Sequence, residues 1–255
     1  MVDSSRLAEI WVEGRRDDEV LLPIGIETVD AILSTMSLNP ASTVLDVGCA
    51  NANVLIRIAK RFGATCTGLD TRQSMIHAGL RAAQGAAVRN LVTLHVEDGF
   101  AFPILPESMD AAMCLGESWI LGGYRRTLAS LARDVRGGGL ILAGEGFAFE
   151  PPEQAYFRGR TTSASAFRSH EGNITIGIEE GLEPIGQWVS SLGEWEDYHE
   201  RRFQSIRRWL DENPLDRDAA TVSSVADDAE ARFRLRDRDE QGWAVYLFRK
   251  PRTPR

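Results

Sequence analysis

The sequence predicts an α/β fold: a Rossmann-like, seven-stranded, mostly parallel sheet with helices on both faces and an antiparallel edge strand. Three observations predict it. Short apolar runs rich in β-branched residues, such as STVLDVGC at 42–49, alternate with segments of helical period. The alternation persists from residue 42 to residue 146, and repeated βαβ units require parallel pairing with helices on both faces. Finally, VLDVGCANANV (44–54) runs from a buried strand into an acid- and glycine-bearing loop, where an open parallel sheet places its ligand.

Residues 5–13 and 24–36 have helical spacing; in the second, Ile24, Ile26, Val29, Ile32, Leu33 and Met36 share one face, and together they read as an N-terminal helical cover. Asn39-Pro40 breaks that helix before the first strand. From Ala52 to Phe62 the apolar positions Val54, Leu55, Ile58 and Ala59 return to helical period, and Gly63 ends the element. ATCTGLD (64–70) is the second strand, SMIHAGLRAAQG a helix closed by Gly85, NLVTLHVED (90–98) the third strand and DAAMCLG (110–116) the fourth. YRRTLASLARDV (124–135) is an amphipathic helix, and RGGGLILAGEG (136–146) a turn entering the fifth strand.

Past residue 147 the pattern loosens. PPEQAYFRGRTTSASAFRSHEGN is polar and aperiodic, either a loop across a binding crevice or an unresolved helix. ITIGIEEGLEPIGQWVSS reads as a short helix and a strand near 184–190. Residues 194–235 are charged with helical spacing, Trp195, Tyr198, Phe203, Ile206 and Trp209 forming the apolar side, and GWAVYLFRK (242–250) is the last strand. This order places a helical insertion between two final strands paired at the sheet edge.

The chain has 255 residues, 43% hydrophobic and 26% charged, ordinary for a globular protein. A net charge of −8 argues against a nucleic-acid partner. Cys49, Cys66 and Cys114 are odd in number, lack CxxC spacing and lie in or beside apolar runs, as buried thiols in a reducing compartment would. No apolar run approaches ~20 residues and no signal-like N-terminus is present, so no membrane association and a cytoplasmic location are expected.

Asp46 and Gly48 would face the crevice at the end of the first strand. Asp70 ends the second strand 22 positions after Gly48, where an acid can accept both ribose hydroxyls of a nucleoside. A nicotinamide cofactor would use the same crevice, but its pyrophosphate needs a GxGxxG loop, and the corresponding positions are Gly48, Ala50 and Asn53. If Ala50 or Ala52 must adopt positive φ, each costs about 1–2 kcal/mol, a tolerable burden.

These residues resemble the class I S-adenosylmethionine-dependent methyltransferases of small-molecule type. VLDVGCANANV is similar to their first motif, GLD (68–70) to the ribose-binding strand end, VEDGFAFPILPESMDAAMCLG to the adenine and fourth-strand motifs, and LARDVRGGGLILAGEG to the turn and fifth strand. The resemblance covers residues 40–150 well and the remainder loosely. It implies S-adenosyl-L-methionine as cofactor and one methyltransferase-like domain over 1–255: a cover (1–39), a cofactor-binding core (40–150) and a substrate-side region with the insertion and closing strands (151–255). By that resemblance Asp46, Gly48 and the loop through Ala50, Asn51 and Asn53 contact the methionine part and Asp70 the ribose, with Thr71 a further cofactor-binding residue. Arg72 and Met75 surround the adenine, and Asp98, flanked by Glu97 and Gly99, accepts from its amino group. The backbone of Leu115, Gly116 and Glu117 borders the methyl.

A sulfonium methyl is already electrophilic, so alignment of the nucleophile and exclusion of water matter most, with a base needed only where a hydroxyl or amine must lose a proton. Glu117 is the best-placed base or substrate anchor, or else the cap of the next turn; Glu145, leaving the fifth strand, is a second acid. Trp119 walls the pocket or fills the core, with core favoured, and Tyr124 starts a helix. His77 and His95 are structural, His170 can reach the substrate, and His199 belongs on a solvated helix face. No histidine spacing supports a metal. The aromatic residues of the insertion pack it onto the sheet or form a lid for an apolar or aromatic acceptor. A noncatalytic or non-methylating nucleoside-binding protein on the same fold is the alternative, and oligomeric state is left open.

Overall fold

The computed structural model describes residues 4–16, 18–150 and 168–252. Seven strands form one sheet in the order β3-β2-β1-β4-β5-β7-β6. They are β1 (Thr43–Val47), β2 (Thr65–Asp70), β3 (Val92–Val96), β4 (Met109–Leu115), β5 (Val135–Ala148), β6 (Glu183–Val189) and β7 (Gln241–Arg249). Every pairing from β3 across to β5 is parallel; β7 runs against both β5 and β6, so the closing edge is an antiparallel pair. Among the described residues the longer helices are α1 (Ser4–Glu13), α2 (Ile26–Ser34), α3 (Asn53–Phe62), α4 (Gln73–Gly85), α5 (Tyr124–Asp134), α6 (His170–Glu179), α7 (Leu192–Glu212) and α8 (Ala219–Arg232). A π-helical turn, Phe233–Asp237, prolongs α8 towards β7.

Strand alternation divides the core between the two faces. Val44, Met113, Leu142 and Val245 point to the face covered by α2, α3 and α4. Leu45, Ala112, Ile141 and Tyr246 point to the face covered by α5 and α6. The apolar stripe of α3, Leu55, Ile56, Ile58 and Ala59, is buried, and the helix stops at Gly63, whose φ of 69° provides the left-handed terminus.

The last third departs from the sequence reading at three points. The helix expected near residue 174 begins at His170, because Ser169 caps it by accepting from Gly172 N. The rest of the loose stretch, 151–167, lies outside the described residues. β5 continues to Ala148, its end paired with β7 from Gly144 to Ala148. Lastly, the insertion packs chiefly against the N-terminal cover, not the sheet: Ile10 of α1, Ile206 of α7 and Val222 of α8 form a separate small core with Trp11 and Trp209. Polar contacts reinforce it, with Gly25 N and Thr28 Oγ1 both donating to Glu194 Oε1.

Candidate active site

From β1 the chain crosses to β2 on one side, while β4 lies on the other, so the connections diverge beyond the carboxyl ends of these strands. A crevice opens at such a switch point. The loop leaving β1 has Gly48, Ala50 and Ala52 all left-handed, at φ 79°, 47° and 57°. A side chain at Gly48 would begin 2.9 Å from Glu117 Cβ, so glycine is required there for space as well as conformation.

Asp70 holds this strained loop. Its Oδ2 accepts from Ala50 N at 2.9 Å and its Oδ1 from Arg72 N at 2.9 Å, while Gly48 N and Cys49 N both donate to Leu69 O. Each carboxylate oxygen has two lone pairs, so one per oxygen is left for a pair of hydroxyls. A cavity of about 140 Å³ opens beside it. Gly48, Asp70, Thr71, Arg72, Glu97, Asp98 and Gly99 all line it, bringing seven of the sequence-predicted residues together. Trp119 and Ile120 line it too. Trp119 is 67% exposed, so it walls the cleft instead of filling the core. The 3-10 turn Ser118–Leu121 places it there, a short element with too few residues to show a period.

The remaining predicted cofactor residues stand elsewhere. Met75 is fully buried in α4, and Leu115 and Gly116 end β4, with Gly116 against the Trp243 ring. The Asn51 and Asn53 side chains face the N-terminal segment: Asn51 Nδ2 donates to Arg16 O and Asp18 O, and Asn53 Nδ2 to Asp18 O. Nothing in the sequence pattern signalled that tie.

Carboxylates concentrate at the strand ends. Asp46 is buried with Oδ1 unpartnered, and burial, reinforced by neighbouring Asp70, pushes its carboxyl up to about 8. Burial raises Glu117, which Arg72 partly offsets, and burial likewise raises Glu145, partly offset by a Ser118 hydrogen bond. Cys114 feels all three acids, after burial, and its thiol is raised well above the ordinary range. A cationic sulfonium with its ammonium group suits such a site, because it supplies the positive charge that Asp46 and Glu117 lack.

On the opposite face, Glu145 lies near a second polar group. His170 Nδ1 is 3.1 Å from Tyr246 Oη, and Asn173 Nδ2 donates to that oxygen and to Gly146 O. Tyr124 Oη and Glu145 Oε2 are buried without partners; Tyr124 therefore contributes a hydroxyl as well as a helix start. His77 is exposed on α4, and His95 packs on Phe102. His199 is not on a solvated face: it stacks on Phe233 with ring centroids 4.0 Å apart and meets Trp195 edge-on, because the π-helical turn covers that side of α7. Among the described residues no group of His, Cys, Asp and Glu could hold a metal, and no helix is long and apolar enough to cross a membrane.

The fold and this crevice define a Rossmann-like methyltransferase architecture, and residues 44–139 match the family described as "Methyltransferase domain". The chain is 27% identical to the uncharacterized protein YjhP of Escherichia coli, across 95% of this chain and 98% of that protein. A methyltransferase from Geobacter sulfurreducens, solved with S-adenosyl-L-homocysteine, superposes with a TM-score of 0.87 at 26% identity over the full length of both chains. A counterpart from Thiobacillus denitrificans, with the same ligand, gives 0.86 at 26% over 98% of this chain and all of that one. Residues 44–139 thus carry the methyltransferase-domain match, and the chain as a whole is similar to S-adenosylmethionine-dependent methyltransferases solved with the demethylated cofactor.

Proposed function

We propose that this protein transfers a methyl group from S-adenosyl-L-methionine to a small-molecule acceptor. The observation that carries the reading is Asp70: a buried carboxylate at the end of β2 that already clamps the loop after β1 and still offers a lone pair on each oxygen to a ribose diol. Asp98, Glu97 and Gly99 line the same cavity and suit the adenine end, while Gly48 and the loop suit the methionine part. When bound, the cofactor supplies an electrophilic methyl on a sulfonium.

The chain's own residues would orient the acceptor, exclude water and accept a proton. Glu117, at the end of β4 against Gly48, is the first proton acceptor: burial raises its carboxyl, making it a stronger base than an exposed glutamate. Glu145 with Tyr124, and His170 with Tyr246, stand at the end of β5 as further groups for holding an acceptor. The aromatic rings of α7, Trp195 and Tyr198 among them, suit an apolar or aromatic guest.

Calorimetric titration with S-adenosylhomocysteine tests the cofactor assignment. Saturable binding is expected in the wild type, with at least a tenfold loss in Asp70→Ala. An absent wild-type isotherm would remove the reading, and unchanged affinity in the variant would remove Asp70 from it. Transfer of labelled methyl into a small-molecule extract separates turnover from binding alone.

A further inference from the structure

The cap over the crevice contains an arrangement that stability alone does not account for. Arg15, in the segment after α1, is 2% exposed. Its Nε donates to Asp18 Oδ2 at 2.8 Å, but Nη1 is buried with no partner. Its guanidinium lies 4.8 Å from the centre of the Tyr198 ring. Across the same cluster Arg202 of α7 lies 4.2 Å from the Trp11 ring centre, with Nε buried and unpartnered. The indole N–H groups of Trp11 and Trp195 are buried and unpartnered too.

Every unpartnered atom just named is a hydrogen-bond donor. Buried donors without acceptors are unfavourable and rare; four of them grouped around Tyr198 and Trp11, with the unpartnered neutral His199 ring offering a single acceptor nitrogen, call for an acceptor-rich group. Charge points the same way. Asp18 neutralises Arg15 alone, and Arg202 faces rings instead of a carboxylate, leaving an excess positive charge inside a protein of net charge −8. His199, beside the cluster, adds no further positive charge: burial, then Arg202 and Arg15, hold the imidazole uncharged down to a pH of about 3. The aromatic rings would lie alongside the body of a ligand whose anionic end met the guanidiniums.

The cluster adjoins the crevice. Asp18, the Arg15 partner, is the residue whose carbonyl receives the Asn51 and Asn53 amides of the cofactor loop. Trp195 packs on the sheet face that includes Leu115 and Trp243 at the end of β4 and in β7. Tyr198, between the two arginines, is also within electrostatic reach of Glu117.

We infer that Arg15 and Arg202, walled by Trp11, Trp195 and Tyr198, form an oxyanion subsite for the acceptor, and that the acceptor is an aromatic or apolar small molecule bearing a carboxylate or phosphate group. This inference rests on the proposed methyltransferase function for the ligand's role as acceptor, while the anion subsite itself is measurable independently.

The test is calorimetric titration of the full-length protein with benzoate, phenyl phosphate and uncharged benzyl alcohol, each with and without saturating S-adenosylhomocysteine. At least one of the two anions is expected to bind at least tenfold more tightly than benzyl alcohol. Arg202→Met should weaken that anion at least tenfold while Arg202→Lys stays within about threefold of wild type; Arg15→Lys, which keeps the charge but loses the fork, should weaken it as well. Equal binding of the alcohol and both anions, or wild-type anion affinity in Arg202→Met, overturns the subsite. Competition of the anions with S-adenosylhomocysteine, together with loss of its affinity in Arg202→Met, assigns the subsite to the cofactor's carboxylate and overturns its assignment to the acceptor. Failure of the methyltransferase reading would appear separately, as a missing S-adenosylhomocysteine isotherm.

Discussion

Ala50 and Ala52 both occupy left-handed conformations, yet they are not equivalent. Ala52 has its methyl fully buried in the core under α3, whereas Ala50 is only half-buried. Replacing Ala50 by glycine relieves roughly 1–2 kcal/mol of strain against about 0.4–1 kcal/mol of added chain entropy, so Ala50→Gly should raise the melting temperature slightly. Ala52→Gly also forfeits about 0.8 kcal/mol of buried methyl, and its melting temperature should stay close to wild type. Thermal denaturation of both variants checks the pair. Asp46 and His199 carry opposite pH signatures. The Asp46 carboxyl rises from 3.8 to about 8 on folding, so its stabilisation is complete below 3.8 and is lost as pH climbs towards 8. The His199 imidazole falls from 6.5 to about 3, so its contribution is present above 6.5 and is lost as pH drops towards 3. The two slopes offset one another between about 4 and 6.5, leaving Asp46 alone to act above that range. Ligand-free protein should lose up to about 2 kcal/mol between pH 6.5 and 8 in urea denaturation, and Asp46→Asn should flatten that decline. Asp46, Asp70 and Asp98 could be placed at the crevice from the sequence because each lies at or just beyond the carboxyl end of a strand; the exposure of Trp119 and the burial of Arg15 and of Arg202 Nε could not, because they depend on which elements meet across the crevice.

At the scale of elements, α7 is fixed at its start by a capping box between Ser191 and Glu194. The same Glu194 carboxylate receives Gly25 N and Thr28 Oγ1, joining the insertion to the cover that precedes β1. Glu194→Ala therefore removes a cap and an inter-element bond together and should cost about 2–3 kcal/mol in chemical denaturation, more than a cap alone. A loss below about 1 kcal/mol would show that the join carries little. The β1-to-α5 elements could be read from sequence because buried parallel strands and amphipathic helices have distinct periods. The start of α6 was obscured by the polar run before it, where Ser169 acts as a cap that resembles any loop serine. The placement of His199 failed for a related reason: α7 is covered on two sides, by α1 and by the π-helical turn, so its charged sequence does not mark a solvated face.

Taken as a whole molecule, the sheet carries two extensive cores, and the cap of α1, α7 and α8 has a much smaller one built around Ile10, Ile206 and Val222. Such a difference in buried apolar contact predicts a hierarchy of opening. Amide hydrogen exchange should be slowest in β1, β4, β5 and β7 and measurably faster in α1, α7 and α8; uniform protection would contradict the hierarchy. The overall architecture was legible from the alternation of periods, whereas the mutual packing of the first helix and the late insertion was not, since nearly two hundred residues separate Trp11 from Tyr198, whose rings meet edge-on at 6.0 Å.

Asn51 and Asn53 stitch the strained turn to the carbonyls of Arg16 and Asp18, so a guest that shifts that turn also pulls on the roof above it. If a second guest sits under that roof, reciprocity holds: whatever advantage a seated nucleoside confers on it must be returned in equal measure, and titrating each guest with and without the other, in wild type and in Asn51→Ala and Asn53→Ala, would read the size of that exchange.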